Sequence, residues 1–231
     1  MKDFDPDCLC ITCEFREIAF SYLNDEVIQE LCRHKKERTY RRGEVIHRGG
    51  DLITEFKYLK SGLVKLFRSS KNGDEQIVTI TKPFEFVSNM SIFSEERYPY
   101  SVAALEESAV CCIDLEYIKR LVIENGGFAM GLLTKISKAN EKIISLTLDL
   151  RQKNLAGRVA YVLLYLSREI YNSNIFDIPV SRREIADFIG MSMANVIRTL
   201  SDFKKEGILT FHGKTLEITD RKKLELVSLM G

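Results

Sequence analysis

The side chains with the widest chemistry in this sequence are its six cysteines, three of which fall within six residues in a C-x-C-x2-C run. They are Cys8, Cys10, Cys13, Cys32, Cys111 and Cys112. Thiolates are soft ligands that suit zinc or iron–sulfur sites, and exposed thiols can also pair on oxidation. Alternatively, the last three are buried as small apolar residues and the first three lie in a disordered tail.

A second region with functional side chains, residues 180–215, predicts two short helices joined by a tight turn. Ser181 and Glu184 stand three residues apart, which is typical of a capping box at a helix start. Gly190 stops this helix, and Ser192 caps the next one. Two helices joined by a short turn with glycine form a motif whose second helix enters the major groove of DNA.

Two short apolar segments follow, residues 208–211 and 215–218, with His212, Gly213 and Lys214 between them. This pattern predicts a β-hairpin, or wing. The order of these elements, a helix, a turn, a second helix and a wing, is a specific signal for a winged helix-turn-helix.

Size and charge fit a two-domain binding protein. The chain has 231 residues and a net charge of +1; residues 151–231 hold 13 Lys and Arg against 9 Asp and Glu, and residues 1–150 hold 21 against 24. The basic excess therefore lies in the predicted DNA-binding part. No apolar run reaches the roughly 18 residues of a membrane span, and the N-terminus is too polar for a signal peptide. We expect a cytoplasmic protein with reduced thiols.

The N-terminal half reads as one helix followed by a β-barrel. Residues 23–34 have helical spacing, and from residue 39 to about 114 short apolar segments alternate with turn signals. Asn72-Gly73, between two such segments, is a strong hairpin signal.

A long helix is expected from about residue 115 to 150, with a break at Gly126-Gly127. Apolar residues at steps of three and four form a seam that predicts pairing with a second copy of this helix. The seam residues are Ala129, Leu132, Ile136, Ala139, Ile143, Leu146 and Leu150. Leu133, Ile144 and Leu148 lie off the seam and could pack on the helix's own domain; the alternative is that the whole helix packs there.

From about residue 20 to 225, the chain resembles the Crp/Fnr family of bacterial transcription regulators. The most specific matches are residues 42–46, 60–62, 73–76 and the DNA-binding motif. The resemblance implies an α+β fold with an N-terminal β jelly-roll or barrel effector domain, a long dimerisation helix and a C-terminal winged helix-turn-helix domain. It also implies a homodimer on palindromic promoter DNA.

The implied boundaries are a cysteine-containing tail at 1–20, an effector domain at 21–125, a dimerisation helix at 126–150 and a DNA-binding domain at 151–231. The exposed hairpin at residues 71–75 matches a position that family members use to contact RNA polymerase.

The resemblance also assigns DNA contacts. Arg182 and Ser192 match positions that grip phosphates, and His212 and Lys214 match wing positions near the DNA backbone. Arg198 matches an arginine that reads a guanine, and a bidentate contact to O6 and N7 is the physical reason.

The reading helix departs from the family, which commonly has a glutamate four residues before that arginine and serine or glycine just before it. Here those positions are Ala194 and Ile197. Asn195 could instead bind adenine N6 and N7, or contact only phosphate, and Met193 and Ala194 could touch a thymine methyl. We therefore expect an unusual half-site.

Cyclic AMP is not expected as the effector. Ser88 and Asn89 replace the glycine and glutamate of the family's phosphate cradle, and no arginine precedes Ser101. Arg97 is nearby but displaced, and a phosphodiester needs a positive donor in place.

The oxygen-sensing members of the family bind a [4Fe–4S] cluster through three N-terminal cysteines and one in the barrel. The matching thiols are Cys8, Cys10, Cys13 and Cys111, although the family spacing is C-x2-C-x5-C. Zinc on the same thiolates fits equally well. Haem, nitric oxide, thiol oxidation or no effector at all remain open.

An enzyme is not expected. A cupin-like barrel enzyme would need clustered histidines and carboxylates, and the three histidines, His34, His47 and His212, lie far apart. No nucleophile elbow, P-loop or dinucleotide fingerprint is present.

Overall fold

The computed structural model describes residues 16, 20–70, 72–88 and 91–231. The N-terminal part begins with helix α1 (Asp25–Arg33) and ends with helix α2 (Leu115–Glu124). Seven strands lie between them: β1 (Lys35–Tyr40), β2 (Val45–His47), β3 (Glu55–Ser61), β4 (Val64–Ser69), β5 (Glu75–Thr81), β6 (Ser101–Ala104) and β7 (Ser108–Asp114). They form two antiparallel sheets, in the orders β1-β7-β3 and β2-β6-β4-β5, as a jelly roll requires.

The strand alternation divides the apolar residues between two cores. Leu59, Val110 and Cys112 join Leu66 and Val102 of the other sheet in an inner core between the sheets. Residues on the opposite face of β3 and β7 join α1, α2 and the next helix in an outer core; its members include Ile28, Leu31, Tyr58, Cys111, Ile118 and Phe128. Both faces of the β1-β7-β3 sheet are therefore covered.

Strand β1 was not predicted from sequence. Its six residues, KKERTY, are mostly charged, and such residues are depleted in strands. The strand forms because Lys35 to Tyr40 pair in register with Ile113 to Ser108 of β7 at the edge of the sheet.

Helix α3 (Gly126–Arg151) follows α2 after the break predicted at the two glycines. The chain divides into two compact units, residues 1–68 with 78–142, and residues 69–77 with 143–231. We call them the N-terminal and C-terminal units. The division falls inside α3 and inside the β4–β5 hairpin.

The C-terminal unit contains four further helices and a small sheet. The elements are α4 (Leu155–Tyr165), a π-helical turn (Leu166–Ile170), β8 (Ile175–Asp177), α5 (Arg182–Ile189), α6 (Met193–Lys205), β9 (Leu209–His212), β10 (Thr215–Ile218) and α7 (Arg221–Met230). The helix-turn-helix and its wing are confirmed. Strand β8, which was not predicted, pairs with β10 and makes the sheet three-stranded in the order β8-β10-β9.

Among the described residues, no helix is long and apolar enough to span a membrane.

Candidate nucleic-acid interface

Helix α6 is anchored by its inner face and presents its outer face to solvent. Ser192 caps it, since the serine hydroxyl accepts a hydrogen bond from the Asn195 N–H at 3.3 Å. The side chains of Val196, Leu200 and Phe203 are buried. This arrangement holds the helix by apolar packing and leaves the other side available to a ligand.

The outer face of α6 carries three of the four predicted base-contacting residues, Met193, Ala194 and Arg198, together with Ile197. Met193 and Ile197 are 45% and 48% exposed, and Ala194 and Arg198 are also exposed. Asn195 is half-buried and lies at the border between the inner and outer faces of α6. The arrangement offers one guanidinium within a largely apolar strip, which can donate to base edges and contact methyl groups.

Helix α5 and the turn before α6 are fixed by three local features. Ser181 and Glu184 form the predicted capping box, with both reciprocal hydrogen bonds present. Gly190 closes α5 with a φ of 67°, in the left-handed region that favours glycine. Arg158 of α4 donates from its guanidinium to the Ile189 carbonyl at 3.2 Å, which ties the end of α5 to α4.

The predicted phosphate-contacting side chains border the outer face of α6. Arg182 lies at the start of α5, with its guanidinium 5.1 Å from the centroid of the Phe211 ring. His212 and Lys214 are exposed at the wing turn, and the His212 Nε2 lies 3.6 Å from Glu217 Oε2. The C-terminal unit thus brings basic groups from the first helix and the wing alongside the reading helix.

Two residues on the outer face of α6 were not predicted from sequence. Ser201 and Lys205 are exposed, and they follow Ile197 at steps of four, so they continue the same face for two more turns. Their spacing was visible in the sequence, but neither position was included in the motif match.

The two faces of α3 differ from the prediction. Leu132, Leu146 and Leu150 of the predicted dimer seam are 3–8% exposed in the single chain, and Leu132 and Ile136 pack in the outer core. The other seam residues, Ala129, Ala139 and Ile143, are half-buried. Leu133, Ile144 and Leu148, which were assigned to the helix's own domain, are 52–59% exposed. Part of the predicted seam is therefore covered by the chain's own side chains, because helical periodicity does not say which apolar stripe packs inward, and the seam stays a prediction.

Cys111 lies in the outer core and is fully buried, beside residues of α1 and Phe20. Cys32 of α1 packs against the same cluster. Cys8, Cys10 and Cys13 lie outside the described residues, and within those residues no group of three or more potential metal ligands occurs. Cys111 therefore shares the outer core with the helix that follows the cysteine run in sequence, and the other three thiols of the predicted set lie outside the described residues.

The region matched to the nucleotide phosphate cradle is engaged in contacts within the chain. The Ser101 hydroxyl accepts a hydrogen bond from the Gly49 N–H at 2.9 Å, and Arg97 donates to the Gly50 carbonyl at 2.7 Å. Ser88 is buried, and Asn89 lies outside the described residues. Arg97 is thus bound to the neighbouring loop.

Comparisons with known proteins agree with this arrangement. Residues 37–125 match the family described as cyclic nucleotide-binding domain, and residues 157–227 match the Crp-like helix-turn-helix domain. The chain is 28% identical to the transcriptional activator protein FnrA of Stutzerimonas stutzeri over 234 residues, covering 100% of this chain and 92% of FnrA. It is 24% identical to the anaerobic regulatory protein of Pasteurella multocida, covering 96% and 82% of the two chains.

Among solved structures, FixK2 from Bradyrhizobium japonicum has the same fold, with a TM-score of 0.76 at 22% identity over 84% of this chain and 96% of FixK2. The two matched domains together span most of the sequence, in the order that the fold shows. The chain is therefore a member of the Crp/Fnr family of DNA-binding transcription regulators.

Proposed function

We propose that this protein regulates transcription by placing α6 in the major groove of promoter DNA, as a homodimer on a palindromic site. The observation that carries the proposal is the exposed outer face of α6, which is held by a capped, buried inner face and bordered by basic residues of α5 and the wing. It is a binding function, and it assigns no catalytic role to any side chain.

In this proposal, Arg198 reads a guanine through a bidentate contact to O6 and N7. Met193 and Ala194 contact a thymine methyl group, and Asn195 is the candidate for adenine. Because Ala194 and Ile197 have no hydrogen-bonding side chains, they cannot replace the contacts of the family's usual residues. We therefore expect a half-site with fewer polar readout positions than the family consensus.

Arg182, Ser192, His212 and Lys214 contact phosphates in this proposal. Such contacts fix the register of the protein on the duplex and carry no sequence information directly. The Phe211 ring supports the Arg182 guanidinium from one side, so the cation need not be ordered afresh on binding.

The dimer forms through the exposed stripe of α3, which consists of Met130, Leu133, Ile144 and Leu148. These side chains are 52–63% exposed and follow helical spacing on one face. Asn140 lies between Leu133 and Ile144 along the helix, and its Oδ1 is buried without a hydrogen-bond partner among the described residues. A parallel second copy would cover the stripe and place two reading helices about 34 Å apart, one DNA turn.

The signal in this proposal is redox state or oxygen, received by the cysteines. Cys8, Cys10, Cys13 and Cys111 would hold a [4Fe–4S] cluster, which supplies oxygen-sensitive redox chemistry when bound. Two observations support the assignment: Cys111 of β7 lies in the outer core that α1 also joins, and one relative is named an anaerobic regulatory protein. Zinc on the same thiolates is the competing occupant, and it would leave the protein colourless.

Cyclic AMP is not the effector in this proposal. Arg97 and Ser101 are engaged by the backbone of residues 49 and 50, so the described residues offer no arginine–serine pair for a phosphodiester. The RNA polymerase contact through residues 71–75 stays a prediction from the family.

The decisive experiment maps bound sites across the genome with and without oxygen. It returns the half-site, the regulated genes and the redox dependence together. An absorption spectrum of protein purified without oxygen accompanies it. Broad visible absorption that bleaches in air supports the cluster, whereas a colourless protein with stoichiometric zinc overturns it and leaves the DNA-binding proposal intact.

A further inference from the structure

A group of charged side chains lies on the inner face of the β1-β7-β3 sheet. The Arg38 guanidinium binds both carboxylate oxygens of Glu55, at 2.6 and 2.7 Å. The Lys57 ammonium lies 3.3 Å from one of the same oxygens. Burial raises the pKa of the neighbouring Cys112 thiol to about 12, so this thiol is neutral. Two cations share one anion, and the cluster carries one uncompensated positive charge.

Lys57 has a hydrogen-bond donor to spare. Its side chain is 6% exposed, and its ammonium donates to the Tyr98 hydroxyl at 3.2 Å as well as approaching Glu55. An ammonium has three donors, and no described residue accepts the third. A buried charge is costly unless its donors are satisfied, so the third N–H calls for a partner.

His47 is the second side chain with unmatched groups. Its ring stacks on that of Tyr98, with 3.7 Å between centroids and 17° between planes, and the residue is 5% exposed. Both ring nitrogens are buried, and neither has a hydrogen-bond partner among the described residues. Native structures rarely leave such atoms unpaired without an ion, a water or a ligand to explain them.

The Lys57 ammonium and the His47 imidazole both lie against the ring of Tyr98. The Lys57 Nζ is 5.2 Å from the centroid of the Tyr98 ring on which His47 stacks. The Tyr98 hydroxyl is already used, since it accepts from Lys57 and donates to the Glu55 carbonyl at 3.3 Å. The missing partner therefore has to accept hydrogen bonds from Lys57 and His47, and a negative charge on it would neutralise the cluster.

An open groove with basic walls borders this cluster. It has a volume of about 1160 Å³, and Arg38 lines it while also binding Glu55. Arg41 and Arg48 line it too, against the carboxylates of Glu44 and Glu107. Three arginines against two glutamates give the groove lining an excess of positive charge, which favours the approach of an anion.

We propose that the N-terminal unit binds a small monovalent oxyanion, a carboxylate or nitrate-like ion, between the free ammonium N–H of Lys57 and the imidazole of His47. The arginine-lined groove is its entrance. Two oxygens on one anion satisfy both donors and cancel the excess charge. The site uses neither Ser88 nor Ser101 of the cradle region, and it depends on neither DNA binding nor the N-terminal cysteines.

The test is a thermal-unfolding titration of the full chain, without DNA, with sodium formate and separately with sodium nitrate. Sodium gluconate, whose anion is much larger, keeps the ionic strength constant. A ligand that binds only the folded state adds RT ln(1 + [L]/Kd) to the free energy of unfolding, so Tm rises with the logarithm of its concentration above Kd. The formate arm reports carboxylate binding and the nitrate arm reports nitrogen oxyanion binding. A logarithmic rise in Tm above the gluconate control in either arm supports the site.

Three variants locate the effect. Lys57→Met keeps the aliphatic stem and removes the charge, and we expect it to weaken binding about tenfold or more. Lys65→Met is the matched control, because Lys65 is also a buried strand lysine, 8% exposed and stacked over Phe67 at 5.1 Å; it should leave binding unchanged. His47→Phe keeps the stacked ring and removes both nitrogens, so it should also weaken binding. It provides the test of the site if Lys57→Met does not fold.

The proposal is overturned if neither anion raises Tm above the gluconate control. It is equally overturned if Lys57→Met or His47→Phe binds like the unmodified protein, since the rise would then be a general salt effect.

Discussion

The Arg182 guanidinium stacks over the Phe211 ring at 5.1 Å, so the first residue of α5 is held by the wing strand β9. The two residues are 29 positions apart in sequence, and the hairpin must fold back on α5 for them to meet. The contact fixes the spacing between the wing and the first turn of α5. These are the two places from which phosphate contacts are proposed.

Replacing Arg182 by glutamine should weaken DNA binding about equally for all sequences. A phosphate contact neutralises backbone charge and releases counterions, so the salt dependence of log K should decrease in slope by about one. Fluorescence anisotropy at several salt concentrations measures this. Arg221→Gln is the control, because Arg221 lies on α7 and binds Glu225 and Asn174. A loss of DNA affinity that depends on the identity of one base pair would contradict the phosphate assignment.

Arg198→Ala should abolish preference at one base pair of the half-site, at a cost of about 1–3 kcal/mol there. The physical reason is the loss of a bidentate contact to guanine. Binding is measured against a set of half-sites that differ at single positions, with Lys222→Ala on α7 as the control. If the Arg198 variant discriminates among these half-sites as the unmodified protein does, Arg198 does not read a base.

Ser181→Ala should destabilise the C-terminal unit by about 0.5–2 kcal/mol, since it removes the side-chain half of the capping box. Chemical denaturation measures the free energy of unfolding. Ser201→Ala is a matched control, because Ser201 is exposed in the middle of α6, where alanine is a better helix former. Equal stability of the two variants would show that the cap contributes nothing.

Local signals in the sequence predicted the C-terminal motif well, because caps and turns are decided by a few adjacent residues. Ser181, Gly190 and Ser192 each determine a helix end through backbone hydrogen bonds or a left-handed φ. Strand β1 could not be found in this way. Its charged residues are ordered by pairing with β7, 68 to 78 positions away, and Lys35 is buried there despite its charge.

Helix α3 shows the same limit for packing direction. Its sequence carries two apolar stripes, and periodicity identifies both without saying which one faces its own domain. Leu132 reaches the outer core, whereas Leu133 remains exposed. The buried pairing of His47 with Tyr98 was likewise invisible, since the two residues lie on separate segments and share no motif.

Ile144→Asp should convert the dimer to monomers and weaken DNA binding. Ile144 is 59% exposed in the single chain, and a charge at that position would be buried without a partner in a symmetric interface. Light scattering gives the mass in solution. Ser145→Asp adds the same charge to an exposed position on a different side of α3 and should leave the dimer intact. An unchanged mass for the Ile144 variant would refute the exposed stripe as the interface.

His47 should make the N-terminal unit less stable as the pH falls. Burial, and then the charge of Lys57, lower its pKa from 6.5 to about 3. The unfolded chain therefore takes up a proton near pH 6.5 that the folded chain takes up only near pH 3. Its contribution to stability is fully present above pH 6.5 and is lost as the pH falls from 6.5 towards 3, at up to about 1.4 kcal/mol per pH unit.

Replacing His47 by phenylalanine tests this slope, because the variant keeps an aromatic ring against Tyr98 and cannot take up the proton. The free energy of unfolding is measured by urea denaturation at a series of pH values in that interval. For the variant it should fall by about 1.4 kcal/mol less per pH unit than for the unmodified protein. His212→Phe is the control, since the His212 side chain is 67% exposed at the wing, and it should keep the slope of the unmodified protein. If the free energy of unfolding of the His47 variant has the same slope against pH as that of the unmodified protein, the buried imidazole is charged in the folded protein. A bound anion beside the imidazole would favour that charge.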